Sequence, residues 1–275
     1  MAVVADTVEA AAGLDPAKLP RHVAVIMDGS GRWAGRRQRP RVSGHMAGVE
    51  AVRATVETCA ELGIPALTLY AFSAENWKRP LAEVNFLMRL LRRYLRSETA
   101  ALNRQNIRLE AMGRIAALPE VVRADLERAQ AATRGNTGMV LTLALNYGGR
   151  AEIVDACQKM VDDARAAGQL ERLEVTEQGL GARMYTARLP EPDLLIRTSG
   201  EMRVSNFMLW QIAYAEIWVT PVLWPDFRRE HLLAALAEFQ RRERRFGGLG
   251  GPKAPGAGQA TIRTHAALGR SAGKG

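Results

Sequence analysis

Only two cysteines and four histidines occur among 275 residues, and aromatic side chains make up just 6% of the chain. Cys59 and Cys157 lie far apart and match no metal or redox spacing, which fits a reducing compartment, so a cytoplasmic location is expected. No apolar run reaches the roughly 18 residues of a membrane span, and no charged-then-apolar signal segment opens the chain. Nucleophilic catalysis of the Ser–His–Asp or Cys–His kind has no signature here. A nucleotide-binding Rossmann domain is set aside too, because the GxGxxG turn and the acidic ribose contact about 20 residues later are both missing. The formal net charge of +9 would suit nucleic acid or an acidic surface. Four of those charges, Lys253, Arg263, Arg270 and Lys274, lie in residues 251–275 beside no acid, leaving +5 for the rest. No aromatic and basic strip is interleaved either, so nucleic acid is not an expected partner.

What is present is 47% hydrophobic residues, enough to bury one sizeable core. Residues 1–20 are Ala-rich and without pattern, and are expected to be loosely held. Residues 21–249 are expected to form the folded domain, and residues 250–275 a Gly/Ala-rich basic tail without the apolar residues to fold alone. Strands are expected at 23–27, 66–73, 107–113, 139–147, 194–196 and 216–220. Helices are expected from an N-cap at Ser43 to Gly63, and over 81–103, 120–133, 149–167 and 228–245. This alternation predicts an α/β fold: a single domain with a central, mostly parallel six-stranded sheet flanked by helices, with no internal repeat.

The chemistry gathers where strands end. Residues 21–33 read RHVAVIMDGSGRW, an apolar strand breaking into Asp28-Gly29-Ser30-Gly31-Arg32. In a parallel sheet the carboxyl ends of strands form the ligand crevice, which puts Asp28 at its lip. Gly29 and Gly31 let the backbone turn N–H groups toward an anion, and Arg32 adds a permanent charge that grips phosphate oxygens in pairs. A carboxylate amid such groups needs a cation between itself and the ligand, usually Mg²⁺. A plain strand–turn with an incidental Asp and Arg is the alternative. The second strand ends in another polar cluster: Ser73, Glu75, Asn76, Trp77, Lys78 and Arg79. His45 at a helix start serves as readily as a surface or capping group as it does as a catalyst. Arg89, Arg92, Arg93 and Arg96 line one side of the 81–103 helix, most simply as a solvated face. Phe86 and Leu90 widen its apolar stripe, as extra core or as a wall facing an apolar substrate. If Phe86 is such a wall, its ring would floor the site. The fifth strand runs into Arg197-Thr198-Ser199 and Arg203, which suits a second diphosphate.

With these pieces in place, the sequence resembles the cis-prenyltransferases of the undecaprenyl diphosphate synthase type. The resemblance rests on MDGxGRW at 27–33, Gly44-His45, LTLYAFSxENWxRP at 67–80 and NYGGR at 146–150. It continues through DLLIRTxGExRxSNFxLWQxAYAE at 193–216, then LWPDF and RRFGG, so it covers about residues 20–249. It implies an enzyme joining an allylic diphosphate (dimethylallyl, geranyl or farnesyl) to isopentenyl diphosphate with a new cis double bond. The allylic diphosphate would be held by Gly29, Gly31, Arg32, Arg41 and Arg79, with Trp33 and Trp77 counted among the binding residues. Isopentenyl diphosphate would be held by Arg197, Arg203 and Ser205. Asp28 would hold Mg²⁺, with Glu216 a candidate second metal contact. Ser30, His45, Ser73 and Asn76 would orient substrates and take part in proton transfer. Arg245 and Gly247 match an element reaching into the partner's site in a homodimer, and the apolar product implies peripheral membrane association. The DDxxD motif of trans-type prenyltransferases is missing; Asp162-Asp163 continues into Ala164-Arg165-Ala166 on what reads as a solvent-facing helix.

Three positions depart from the family pattern. Ser30 stands where Asn is usual, Ser199 where Gly is usual, and Met202 where a polar residue, often His, is expected. Ser30 touches the reactive end of the site, which raises head-to-middle coupling of allylic diphosphates to branched, lavandulyl-type products. The other alternative is a non-catalytic partner subunit, a class that loses the Asp and glycines this chain keeps.

Overall fold

A computed structural model of the chain describes residues 13–242. Its centre is β1 (His22–Ile26), whose five residues are all buried. Around it lie β2 (Ala66–Ser73), β3 (Arg108–Met112), β4 (Val140–Tyr147), β5 (Leu194–Arg197) and β6 (Glu216–Val219), in the order β3-β4-β2-β1-β5-β6. Every pairing is parallel. The helices are α1 (Ser30–Arg36), α2 (Arg41–Glu61), α3 (Leu81–Arg104), α4 (Glu120–Thr133), α5 (Gly149–Ala166), α6 (Glu177–Gly181) and α7 (Arg229–Arg241).

Strand side chains alternate between two faces. Val23, Val25, Leu67, Leu69, Leu141, Leu143 and Ile196 join one core with residues of α2, α3, α4 and α7. Ala24, Ile26, Tyr147 and Leu195 face the other way, onto Phe207, Met208 and Ile212. Burial on both faces explains why the central strands read as apolar runs. One polar pair crosses the core: His22 Nε2 lies 2.7 Å from Thr68 Oγ1, while its Nδ1 lies 2.7 Å from the Pro190 carbonyl.

The strand order decides where a ligand can bind. From β1 the chain builds outward through β2 to β4 and β3, then crosses back to place β5 and β6 on the far side of β1. Such a reversal opens a crevice at the carboxyl ends of the strands it separates, here β1 and β5. Opposite Tyr70 and Phe72 the β2–β4 register slips, which re-aims the end of β2 at the same crevice.

Several local expectations are corrected. Residues 30–36 are helical: Gly29 adopts φ +110°, and Trp33 N donates to its carbonyl at 2.8 Å. A Cβ at Gly44 would stand 2.0 Å from the Ser30 carbonyl oxygen, so this glycine lets α2 pack directly on α1. The N-cap of α2 is Pro40 rather than Ser43, whose hydroxyl instead donates to the Pro40 carbonyl at 2.6 Å. Within the N-terminal segment expected to be loose, Leu14 and Leu19 pack against the core, and Asp15 N donates to Gln240 Oε1 at 3.1 Å. The last helix ends at Arg241, and residues 243–275, with the expected tail, lie outside the described residues.

Candidate active site

Asp28 follows β1, and Arg197 ends β5, its register partner across the crevice being Ile26. Two hydrogen bonds draw the strand ends together: Thr198 Oγ1 donates to the Asp28 carbonyl at 2.6 Å, and Asp28 N donates to Thr198 Oγ1 at 2.9 Å. Arg197 Nη2 thereby reaches Asp28 Oδ2 at 2.8 Å. Burial alone would raise the Asp28 pKa, but hydrogen bonding and charge from Arg197, with the Gly29 N–H, bring it below the usual carboxylate value. Arg197 Nη1 donates to Ser205 Oγ at 2.6 Å and to the Arg203 carbonyl. Its Nε is buried without a partner, although the side chain is only 4% exposed. A buried donor left unpaired costs free energy unless an acceptor arrives.

The loop carrying Ser205 is held in an unusual path. Ser205, Asn206 and Met208 all have positive φ. Tyr70 stacks on Phe207 at 4.4 Å, and its hydroxyl donates to the Tyr147 carbonyl at 3.2 Å. Asn206 Nδ2 donates to Glu75 Oε1 at 2.9 Å, and Arg150 N donates to Asn206 Oδ1 at 2.9 Å.

On the other side of Asp28, Arg32 leaves α1 to donate to the Ser199 carbonyl at 3.0 Å and to Ser199 Oγ at 2.5 Å. Its Nη2 also lies 3.6 Å from Asp28 Oδ2 and 3.1 Å from Glu201 Oε1. Ser199 has φ +76°, a left-handed conformation that favours glycine, which accounts for the residue usual at this position.

A second group of charges faces this one from α2 and α3. The Glu83 carboxylate, 8% exposed, takes Arg79 Nη1 at 2.9 Å, His45 Nε2 at 3.4 Å and Arg41 Nε at 3.8 Å. Burial pushes its pKa up, and the charges of Arg41 and Arg79 more than reverse that. His45 is lowered, first by burial and then by the two arginines, against the opposing pull of Glu83, so its imidazole is neutral near pH 7. A Cβ on Gly31 would lie 3.1 Å from Arg41 Nε, so the missing side chain leaves room for that guanidinium. Asn76 Oδ1 accepts from Ser73 N at 3.1 Å and closes the turn Ala74–Lys78 after β2.

Beneath these groups runs a cavity of about 420 Å³. Asp28, Ser30, His45, Ser73, Asn76, Arg79, Arg197, Arg203 and Ser205 line it, together with Val49 and Val52 of α2, Leu87, Leu90, Leu91 and Tyr94 of α3, and Leu69, Leu143 and Leu145 of the sheet. The polar residues come from strand ends, helix starts and the loop after β5, and the apolar ones from strand interiors and the inner faces of α2 and α3. The site is therefore amphipathic along its length: cationic at the strand ends and hydrocarbon-like below.

Not every expected residue belongs to it. Trp33 is buried beside the site, with Nε1 donating to Asp226 Oδ1 at 2.7 Å and Arg37 over its ring. Trp77 packs edge-on against Phe72 and donates to Asn146 Oδ1 at 2.8 Å, so it backs the wall without lining it. Phe86 is half-buried and not a lining residue; the inward stripe of α3 runs through Leu87, Leu91 and Tyr94. Glu216 sits opposite Leu194, level with Val23 near the amino ends of the strands, and its Oε2 accepts from Arg242 at 2.9 Å. Within one chain it cannot share an ion with Asp28. The arginine face of α3 is not simply solvated either, since Arg92 and Arg96 hold the buried Asp125 of α4 at 2.7 and 3.0 Å. Arg245 and Gly247 lie outside the described residues. The sequence reading placed Thr198 in the polar end of β5 without its role as the clasp between β1 and β5, and it missed Glu83. A signal for Glu83 existed: it lies four residues after Arg79 and four before Leu87, a carboxylate on the inward face of α3.

A family model described as "Putative undecaprenyl diphosphate synthase" matches residues 26–247. An isoprenyl transferase of Heliobacterium mobile is 52% identical over 236 residues, 86% of this chain and 90% of that one. One from Geobacter sulfurreducens is 52% identical over 235 residues, 86% and 95% of the two chains. Among solved structures, a lavandulyl diphosphate synthase from Lavandula x intermedia superposes with a TM-score of 0.81 at 38% identity, covering 84% of this chain and 99% of that one. A probable undecaprenyl diphosphate synthase from Campylobacter jejuni gives 0.69 at 33%, covering 83% and 98%. Residues 26–247 contain Asp28, Arg197 and every residue lining the cavity below them, and on these grounds the chain belongs to the undecaprenyl diphosphate synthase family of prenyltransferases.

Proposed function

We propose that the chain condenses an allylic diphosphate with isopentenyl diphosphate to give a cis-prenyl diphosphate and free diphosphate. The observation that carries this reading is Arg197: a buried guanidinium with an unpaired Nε, beside Asp28 and Ser205, at the polar end of an apolar cavity. Such an arrangement takes a molecule with a diphosphate head and a hydrocarbon tail.

Two cationic groups suit two diphosphates. Arg32, Arg41 and Arg79 stand on the α1–α2–α3 side, and Arg197 and Arg203 on the β5 side, with Asp28 between them. The allylic C–O bond breaks, and its electron pair leaves with the diphosphate. Arginines already in position stabilise that growing negative charge without reorganising. The terminal alkene carbon of isopentenyl diphosphate bonds to the allylic carbon, and the resulting cation loses a proton to restore a double bond. His45, neutral at the cavity wall, is suited to accept a proton, and Ser73 and Asn76 to orient the substrates. Asp28 is suited to hold Mg²⁺: that ion is commonly bound by one or two carboxylates plus substrate phosphates. No cluster of three metal-ligating side chains exists among the described residues, so substrate oxygens would complete the shell. When bound, the ion would neutralise charge on the leaving diphosphate.

Ser30 favours a second reading, head-to-middle coupling of two allylic diphosphates. It lines the cavity beside Asp28, and the lavandulyl diphosphate synthase of similar fold was solved with dimethylallyl diphosphate. The relatives at 52% identity are isoprenyl transferases, which keeps regular elongation ahead. A non-catalytic subunit is the weakest reading, because Asp28, Gly29 and the cavity are all in place. A homodimer is proposed from the exposed Tyr214 and Ile217 beside and on the edge strand β6. No helix among the described residues is long and apolar enough to cross a membrane. The two free cysteines suit a cytoplasmic enzyme, whose membrane contact would come through its apolar product.

The test is to incubate the protein with Mg²⁺, labelled isopentenyl diphosphate and each allylic diphosphate, then identify products by mass spectrometry. Linear cis products are expected, and no incorporation from any primer would refute the reaction. Wild type and Ser30→Asn are then compared with isopentenyl and dimethylallyl diphosphate as competing acceptors. Asn reaches about one to two bonds further and both donates and accepts, so it should constrain the second substrate and raise the linear share. An identical product ratio would show that this position does not set the coupling mode.

A further inference from the structure

We infer that the outer face of α3 docks the protein on a membrane surface rich in anionic phospholipid, through Arg89, Arg92, Arg93 and Arg96. The contact is made by the protein's own charges, separate from any held through an apolar product, and it does not depend on the reaction proposed above. Residues three, four and seven apart share a helix face, so these arginines form one patch spanning about 11 Å of the axis. With Ser97 they line a cleft of about 400 Å³, on the side of the helix away from Leu87 and Leu91, which face the cavity.

The patch is not neutralised by its surroundings. α3 has only two carboxylates, Glu83 and Glu98, and both are buried and held elsewhere, Glu83 by Arg79 at 2.9 Å and Glu98 by Arg53 at 2.6 Å. From α4, the buried Asp125 reaches Arg92 at 2.7 Å and Arg96 at 3.0 Å and also takes Arg128, so one carboxylate faces three guanidinium groups. Two positive charges are left over there. Arg89 and Arg93, both exposed, make no ion pair with the described residues and add two more. Asp125 meanwhile fixes Arg92 and Arg96 on the surface, so part of the patch is ordered before any ligand arrives.

Such charge attracts phosphate in any form, and the neighbours of the patch select a lipid surface. Leu81, at the start of α3, is 73% exposed. Phe86, half-buried and absent from the cavity wall, stands three residues before Arg89 and seven before Arg93, which puts it on the arginine face. Val121, four residues before Asp125 on α4, is exposed as well. Apolar side chains bordering a basic helix face suit the boundary between head groups and acyl chains, where guanidinium heads meet phosphate and their stems lie along hydrocarbon. Nucleic acid calls instead for rings free to stack on bases, and the half-buried Phe86 does not supply them.

The test sediments the full chain, without substrates, with vesicles of phosphatidylcholine alone or mixed with phosphatidylglycerol. Arg89→Gln combined with Arg93→Gln removes two charges and leaves the Asp125 pairs intact, so Tm should not change. At a few-fold for each arginine near an anionic surface, the double variant should bind the mixed vesicles about 25-fold more weakly. Arg172→Gln combined with Arg188→Gln, between α5 and β5, removes the same charge elsewhere and should change binding less than about three-fold. Lys253, Arg263, Arg270 and Lys274 could reach lipid independently, so each comparison is repeated with all four changed to Gln, and the α3 effect should persist. Salt should weaken the binding, because exposed charges are screened. Equal binding to both kinds of vesicle, equal loss in the two double variants, or no loss from the α3 variant would overturn the inference. So would capture of an oligonucleotide or of inorganic diphosphate through Arg89 and Arg93 without vesicle binding. The readout needs no turnover, so failure of the proposed reaction stays distinguishable from failure of this surface.

Discussion

Replacing Asp28 separates what the carboxylate does for the fold from what it does for the reaction. Its Oδ2 accepts from Arg197 Nη2 at 2.8 Å, and the Arg197 side chain is 4% exposed against 32% for Asp28. Breaking a fully buried pair costs about 3–5 kcal/mol; the exposure of Asp28 discounts this, so Asp28→Ala should cost about 1–2 kcal/mol. For a domain of this size that lowers Tm by roughly 2–8 °C. Asp28→Asn keeps an acceptor oxygen for Arg197, so its cost should stay under about 1 kcal/mol. Catalysis should respond differently. Both variants lose the charge that would hold a cation against the leaving diphosphate, a loss of about 3–5 kcal/mol of transition-state stabilisation. At 1.36 kcal/mol per decade, that is about 10²–10⁴-fold in turnover. Because its pKa lies below the ordinary carboxylate value, Asp28 is charged near neutrality, so the effect should not depend on pH there. The assay is kcat and kcat/KM against Mg²⁺ concentration, with Tm measured on the same samples. Turnover in Asp28→Asn within a few-fold of the parent, with unchanged Mg²⁺ dependence, would refute the metal assignment.

Two further outcomes follow from the buried titratable groups. Glu83 raises the His45 pKa against burial and the two arginines, so Glu83→Gln should move the acidic limb of kcat/KM to lower pH; an unmoved limb would show that His45 does not act in the reaction. His22 is lowered from 6.5 to about 4 by burial, so between those values the unfolded chain binds the extra proton. Its share of stability is whole above pH 6.5 and falls as pH drops toward 4, by at most about 3 kcal/mol. His22→Gln should flatten Tm against pH in that window, leaving a smaller slope from His45 and His231, which are also lowered. An unchanged slope would remove His22 as its source.

Much of this architecture was legible because local and long-range preferences agree. The 66–73 strand and the 120–133 helix fall where the pattern places them, as the apolar run of the one, the helical periodicity of the other, turn residues and burial give one answer. α1 was hidden for the opposite reason. Gly29, Gly31 and Gly35 read as a loop, and the helix is held by tertiary contacts: Trp33 to Asp226, and the close seat of Gly44 on the Ser30 carbonyl. The arginines of α3 look solvated until α4 brings Asp125 beneath them, and nothing local forecasts that pairing. Of the two residues expected to widen the apolar stripe of α3, Leu90 lines the cavity and Phe86 does not.

The deepest limit concerns the site itself. Asp28 and Arg197 are each recognisable as the end of an apolar strand, yet 169 residues separate them, and their contact depends on β5 lying beside β1. Composition and periodicity cannot supply that adjacency; the strand order does. Once it is fixed, the departures acquire causes. Ser199 occupies a backbone position with φ +76°, where glycine is the low-strain choice, and it holds Arg32 through Oγ. That contact keeps Arg32 near Asp28 and Glu201, where it shares Asp28 Oδ2 with Arg197. The unusual serine therefore draws Arg32 toward the carboxylate that Arg197 also holds. Ser30, in the first turn of α1, lies between that carboxylate and the α2 wall. On the proposed reading, the two serines would act on neighbouring parts of one crevice, Ser199 on the head-group cations and Ser30 on the space between substrates. Asn at position 30 would fill that space and leave the Arg32–Ser199 contact untouched, so coupling mode and diphosphate affinity can change separately.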